Sequence, residues 1–137
     1  MENQVNIANE CPYQELTEKI LKCAEYVHKR IGNGFHEVVY KRPMACEFLF
    51  RNIAFEKEDD IIWSTGEQKA KDEADFLVDG KVMVELMSIV QFEEAHLTRT
   101  IEYLEASNLE VGLLINFGGD KIDYKQILKT DYYPYNQ

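Results

Sequence analysis

The chain has 137 residues, enough for one domain with a buried core, and its 45% hydrophobic and 29% charged residues are those of a globular rather than a disordered protein. No apolar run approaches the roughly 18 residues of a membrane helix, and the acidic, polar start MENQVNIANECPYQELTEK has no basic or apolar stretch, so neither a membrane span nor a secretory leader is expected. A net charge of −10 excludes nucleic-acid binding through the overall field and leaves a local basic patch, or metal ions held by carboxylates, as the routes to phosphate.

Residues 1–11 read as a loose lead-in. From Tyr13 a helical pattern begins, with Leu16, Ile20, Leu21, Ala24, Val27 and Ile31 at three- and four-residue steps. Glu15 and Glu18 suit its positive end, and His28, Lys29 and Arg30 suit its negative end. Gly32-Asn33-Gly34 stops it. A second helix is expected from about Phe35 to Arg51, with Val38, Val39, Met44, Ala45, Phe48 and Leu49 as its apolar positions. Pro43 should kink or split that helix, because it removes one hydrogen bond. The segment 53–64 reads as an irregular strand with an acidic turn at Glu58-Asp59-Asp60.

Two strand-like runs, 70–78 and 82–88, are joined by Asp79-Gly80-Lys81, a hairpin loop with a glycine available for positive φ. A third helical pattern over 92–106 carries Leu97, Ile101 and Leu104. LEVGLLINF (109–117) is a buried-strand pattern ended by Gly118-Gly119, which with Asp120 reads as a turn rather than a phosphate loop. A brief segment, Ile122 to Leu128, precedes an aromatic tail at 129–137, whose Tyr132, Tyr133 and Tyr135 suit a partner surface, including a second copy of the chain. With no repeats or linkers, this order predicts a single domain over 1–137, a mixed sheet flanked by helices.

Side-chain parity fixes the hairpin register. Phe76, Val78, Val82, Val84 and Leu86 all fall at even positions, and they share one apolar face if Val78 pairs with Val82 across a three-residue loop. That register sets Asp75 opposite Glu85 on the other face. Two adjacent carboxylates repel unless something compensates them. Mg²⁺ is one solution, since it takes one or two carboxylates plus water and substrate phosphate; a solvated edge or pairing with Lys or Arg is the other.

The three cysteines, Cys11, Cys23 and Cys46, are odd in number and lack C-x-x-C spacing, so reduced thiols in a cytoplasmic protein are expected. Cys23 and Cys46 fall at helical positions where packed thiols are ordinary, and His28 and His36 read as surface or capping residues.

Gly34-Phe35-His36-Glu37-Val38-Val39-Tyr40 has the form G-x-x-E-x-x-Y. Together with VHKRIGNGFHEVVYKR, ADFLVDGKVMVELMS and HLTRTIEYLEASNLEVGLLINFG, it makes residues 13 to 128 resemble the GxxExxY proteins. The resemblance implies an α/β PD-(D/E)xK restriction-endonuclease-like core, a mixed four-stranded central sheet between helices, acting on DNA or RNA through Mg²⁺ or Mn²⁺. It further implies that Asp75 and Glu85 are the two strand acids and metal ligands, and that Glu37 is a third. His96, Arg99 and Tyr103, at i, i+3 and i+7 on one helical face, resemble the polar helix positions that touch substrate phosphate. A mixed surface with Tyr103 partly buried is the other reading of those three.

The same resemblance places a lysine where this chain has Met87. Glu85-Leu86-Met87 stands in place of E-x-K, so the carboxylates are kept while the group that positions water and adds charge beside the phosphate is lost. Lys69 and Lys71 share the parity of Asp75, but Lys71 lies about 13 Å away along a regular strand. The sequence alone therefore favours a catalytically impaired member that serves as a binding or assembly module, with an Mg²⁺-dependent nuclease as the alternative.

Overall fold

The computed structural model describes residues 12–57 and 74–129. Helix α1 (Gln14–Ile31) and helix α2 (Val38–Phe50) come first, followed by strands β1 (Phe55–Lys57), β2 (Phe76–Val78) and β3 (Val82–Met87). Helix α3 (Glu94–Ser107), β4 (Val111–Asn116) and β5 (Asp123–Leu128) complete the described elements. Among the described residues no helix is long and apolar enough to cross a membrane. Lys69, Lys71, the Glu58-Asp59-Asp60 turn, Cys11 and the tyrosine tail lie outside the described residues.

The strands form one five-stranded sheet in the order β1-β2-β3-β4-β5, one strand more than the resemblance implies. β1, β2 and β3 form an antiparallel meander, β3 and β4 are parallel through the α3 crossover, and β5 closes the far edge antiparallel to β4. The segment expected only as a brief stretch is thus a full edge strand. Asp123, Tyr124 and Lys125 are exposed along it, the charged edge that discourages further strand pairing. β4 is buried along its whole length between β3 and β5, which explains its uninterrupted apolar run.

The hairpin has the register that parity predicts, with Val78 opposite Val82, Leu77 opposite Met83 and Phe76 opposite Val84. Asp79 and Gly80 both take positive φ, 54° and 65°, so the loop uses the left-handed region twice. Even positions of β2 and β3, with Val111, Leu113, Ile115 and Phe117, pack under α1 and α2. Odd positions form a second core under α3, comprising Leu77, Met83 and Met87 with Ala74, Tyr103, Leu104 and Leu114. The sheet is therefore covered on both faces.

Helix α2 differs from the expectation in two respects. Pro43 lies inside a continuous 13-residue helix, so it does not split the helix. The buried side is made by Tyr40, Met44 and Phe48 at four-residue steps, while Val38, Val39 and Leu49 are exposed. Burying those three large side chains outweighs the single hydrogen bond that proline removes.

Candidate nuclease-type site

The G-x-x-E-x-x-Y segment fixes the start of α2 against the end of β4. Tyr40 donates its hydroxyl hydrogen to Gly32 O at 2.7 Å and accepts the Phe35 N–H at 3.2 Å. Its ring stacks on Phe117 with centroids 4.3 Å apart. Gly34 takes φ 83° and donates its N–H to Phe117 O at 3.1 Å, a conformation that favours glycine. His36 Nδ1 accepts the Val38 N–H at 3.1 Å, so His36, one residue before the N-cap Glu37, satisfies a free N–H at the helix start. The glycine and tyrosine of the motif are thus braces, and they leave Glu37 at the helix entrance over one end of the sheet.

At that end Asp75 immediately precedes β2. Its N–H donates to Val84 O at 2.8 Å, and its Oδ2 accepts the Leu86 N–H at 2.6 Å. The carboxylate thereby continues the hydrogen bonding of the hairpin one step past the last strand residue. Glu85 projects from the odd face of β3, with its side chain only 13% exposed. Arg99, from α3, donates from Nη2 to Glu85 Oε2 at 2.7 Å. Lys41, from α2, stands 3.0 Å from Asp75 Oδ1. Pairing with Lys and Arg, one of the two solutions open at the sequence level, is what the fold provides for the two acids.

These groups line one pocket of about 280 Å³, together with Glu37, Leu86, Met87, Ile89 and His96. Beyond Met87 the pocket wall is held by Asn116. Its Oδ1 accepts the Ile89 N–H at 2.9 Å and the Gly118 N–H at 2.9 Å, and its Nδ2 donates to Ile89 O at 3.0 Å. A Cβ at Gly118 would collide with the Ile89 backbone, so only glycine allows this close approach.

Burial pushes the Glu85 carboxyl up to about 7; the Arg99 guanidinium opposes that shift, and the charges of Asp75 and Glu37 add to it. Glu85 Oε1 is buried without a hydrogen-bond partner among the described residues. A carboxylate oxygen left unpaired beside a polar pocket is an opening for a cation. Asp75 has both oxygens engaged, but each carboxylate oxygen carries a second lone pair. Asp75 and Glu85 therefore fit a divalent ion completed by water. Among the described residues no three His, Cys, Asp or Glu side chains are gathered closely enough to hold a metal. Glu37 accordingly reaches the pocket from an exposed position rather than as part of a tight triad.

The predicted helix cluster divides. His96 and Arg99 face the pocket. His96 Nδ1 accepts the Glu93 N–H at 2.9 Å, which places the proton of the neutral ring on Nε2. Tyr103, 3% exposed, packs in the second core with Leu104, Met83 and Leu114, away from the pocket, so the substrate-contact role expected for it is not supported. Met87 lines the pocket while packing in the same core.

Lys41 was not among the expected site residues. The available signal was its position four residues after Glu37, on the same helical face.

Neither a curated protein nor a solved structure matches this chain significantly. The sequence model of the PD-(D/E)XK nuclease superfamily matches residues 14–127, a span that runs from α1 into β5 and contains every residue of the pocket. With that match, a mixed sheet between helices and paired acids on one hairpin, the chain belongs to the PD-(D/E)XK nuclease superfamily.

Proposed function

We propose that the pocket is a metal-dependent phosphodiesterase site acting on DNA or RNA. The observation that carries this reading is the buried Glu85 carboxylate, with one oxygen unpaired, beside Asp75 in a pocket that also presents Lys41, His96 and Arg99. A buried acid with a strongly raised pKa is costly to a merely structural surface and is ordinary at a reactive one. Asp75 and Glu85 are the ligands for Mg²⁺ or Mn²⁺, the metals nucleases of this superfamily generally use, with Glu37 at the rim as a third acid. When bound, the ion supplies an activated water and neutralises charge on the phosphate.

The chain's own groups do the rest. Arg99 holds the Glu85 carboxylate oriented and favours its ionised form. The other N–H groups of its half-exposed guanidinium remain to grip phosphate oxygens. His96 offers Nε2–H as a neutral donor to the same group. Because the whole chain is acidic, affinity for nucleic acid comes from these local cations and the metal, and its salt dependence scales with the few phosphates they neutralise.

Met87 supports a second reading, in which this GxxExxY-like chain is catalytically impaired and acts as a binding or assembly module, alone or as a homodimer. A thioether supplies neither charge nor a hydrogen bond to a water, and its loss as a lysine costs chemistry without costing the fold.

One assay separates the two. Labelled single- and double-stranded DNA and RNA are incubated with Mg²⁺ or Mn²⁺ and wild type, Asp75→Ala or Met87→Lys. The nuclease reading expects wild-type cleavage that Asp75→Ala lowers by at least about 10²-fold. Cleavage by Met87→Lys alone would instead favour the impaired reading.

A further inference from the structure

The pocket that Met87 lines without a lysine is also lined by Lys41. We propose that Lys41 of α2 supplies the ammonium group that Met87 cannot, making it a further catalytic residue of this site. The inference rests on the metal-dependent reading above and assigns a group within it.

Four observations carry it. Lys41 Nζ lies 3.0 Å from Asp75 Oδ1, so the ammonium already sits at the carboxylate that would take the metal. Lys41 and Met87 line the same pocket, one from the helix and one from the strand. The helix that carries Lys41 is anchored, because the preceding residue, Tyr40, is fully buried, stacked on Phe117 and bonded to Gly32 O. The Lys41 side chain is about one third exposed, enough for a long flexible stem to turn from Asp75 towards a bound phosphate.

The charges also balance in a consistent way. One N–H of Arg99 is engaged by Glu85, while Lys41 is paired with Asp75. A divalent ion held by Asp75 would repel the ammonium, and the long Lys41 stem would let it turn to a phosphate oxygen of a bound nucleic acid. Lys41 and a bound metal would thus compete for Asp75 and act together on the phosphate.

In the reaction, the oxygen of a water forms the new bond to phosphorus. The bond from phosphorus to the leaving oxygen breaks, with its electron pair staying on that oxygen. The proton lost by the water passes to solvent, and the leaving oxygen gains one from solvent. Lys41 stays protonated throughout; it orients the water and offsets charge on the non-bridging oxygens, where it is worth most in a partly desolvated site.

The test uses the full chain with labelled DNA and Mn²⁺, comparing wild type, Asp75→Ala, Lys41→Met, Met87→Lys and the double variant Lys41→Met/Met87→Lys. Mn²⁺ affinity is measured separately by calorimetry without nucleic acid, and folding by thermal melts. Asp75→Ala should abolish cleavage. Lys41→Met should lower kcat by about 10²-fold while tightening Mn²⁺ binding by roughly fivefold, because a competing cation has been removed. The double variant should recover most of the lost rate.

If Asp75→Ala is silent and Lys41→Met turns over like wild type, Lys41 is only a partner of Asp75 and this inference fails alone. It also fails if Lys41→Met weakens rate and Mn²⁺ binding together, the signature of a structural ion pair. Cleavage by Met87→Lys but not by wild type would show that Lys41 does not substitute, while the metal site stands. Cleavage that Asp75→Ala leaves intact, or no cleavage by any variant, would remove the reading of the site and Lys41 with it.

Discussion

The two faces of the sheet are built from the same strands and do different work. The even side chains of β2 and β3 meet α1 and α2 in a core of Phe76, Val78, Val82, Val84 and Leu86, all essentially buried. The odd side chains meet α3 and begin in the same way, with Leu77 and Met83. At the next odd positions stand Asp75 and Glu85, and at that end of the sheet the apolar core gives way to ion pairs and a pocket that α2 also reaches through Lys41. One residue of register separates stability from chemistry, because neighbouring side chains on a strand point to opposite faces. Substitutions on the two faces should accordingly fail in different assays.

The largest expected effect is on the even face. Phe48 of α2 is fully buried and makes ring contacts with Phe55 and Phe76 at centroid separations of 5.3 and 5.2 Å. Phe48→Ala should cost about 3–5 kcal/mol in urea unfolding. On the odd face, Asp75→Ala removes the proposed activity and should leave the fold populated. If Asp75→Ala unfolds the protein as readily as Phe48→Ala, the division between faces is wrong.

Glu85 gives a smaller and pH-dependent effect. Its folded pKa of about 7 lies above the ordinary 4.5, so the folded state binds this proton more tightly than the unfolded chain does. The stability it contributes is therefore fully present below pH 4.5 and is lost as the pH rises through 7. The loss amounts to roughly 3 kcal/mol if the whole shift is realised. Urea midpoints for wild type should fall between pH 4.5 and 8, and Glu85→Gln, which cannot titrate, should flatten the decline. An equal slope in both proteins would mean that Arg99 compensates the burial completely and that the acid is stably charged.

The hairpin was legible in the sequence because both faces write a period of two, and only one register gathers Phe76, Val78, Val82, Val84 and Leu86 together. That register brought Asp75 and Glu85 with it. Lys41 was harder to see, since its contact with Asp75 depends on how α2 crosses the sheet, and Tyr40, Gly32 and Phe117 set that geometry through tertiary contacts. Apolar periodicity also misjudged α2. Val38, Val39 and Leu49 look like core residues by type, whereas the helix buries Tyr40, whose hydroxyl is satisfied by Gly32 O, and turns those three outward. β5 was underestimated for the opposite reason, because an edge strand with Asp123 and Lys125 exposed shows little of the pattern of a buried one.

The smallest expected effect concerns thiol chemistry and sharpens the same contrast on the helices. Cys23 lies in the core under α1, where burial pushes its thiol up to about 11, while Cys46 sits on the exposed side of α2. Only the thiolate attacks, and it must also be reached. In a Cys11→Ser background, native protein at pH 8 should take one equivalent of iodoacetamide, at Cys46, and a second only on unfolding. The rate at Cys23 then reports opening of the even-face core without any change to its packing, and Phe48→Ala should raise it while Asp75→Ala should not. Equal acceleration by both substitutions would mean that the two faces open together, and that the separation seen in their chemistry does not extend to their stability.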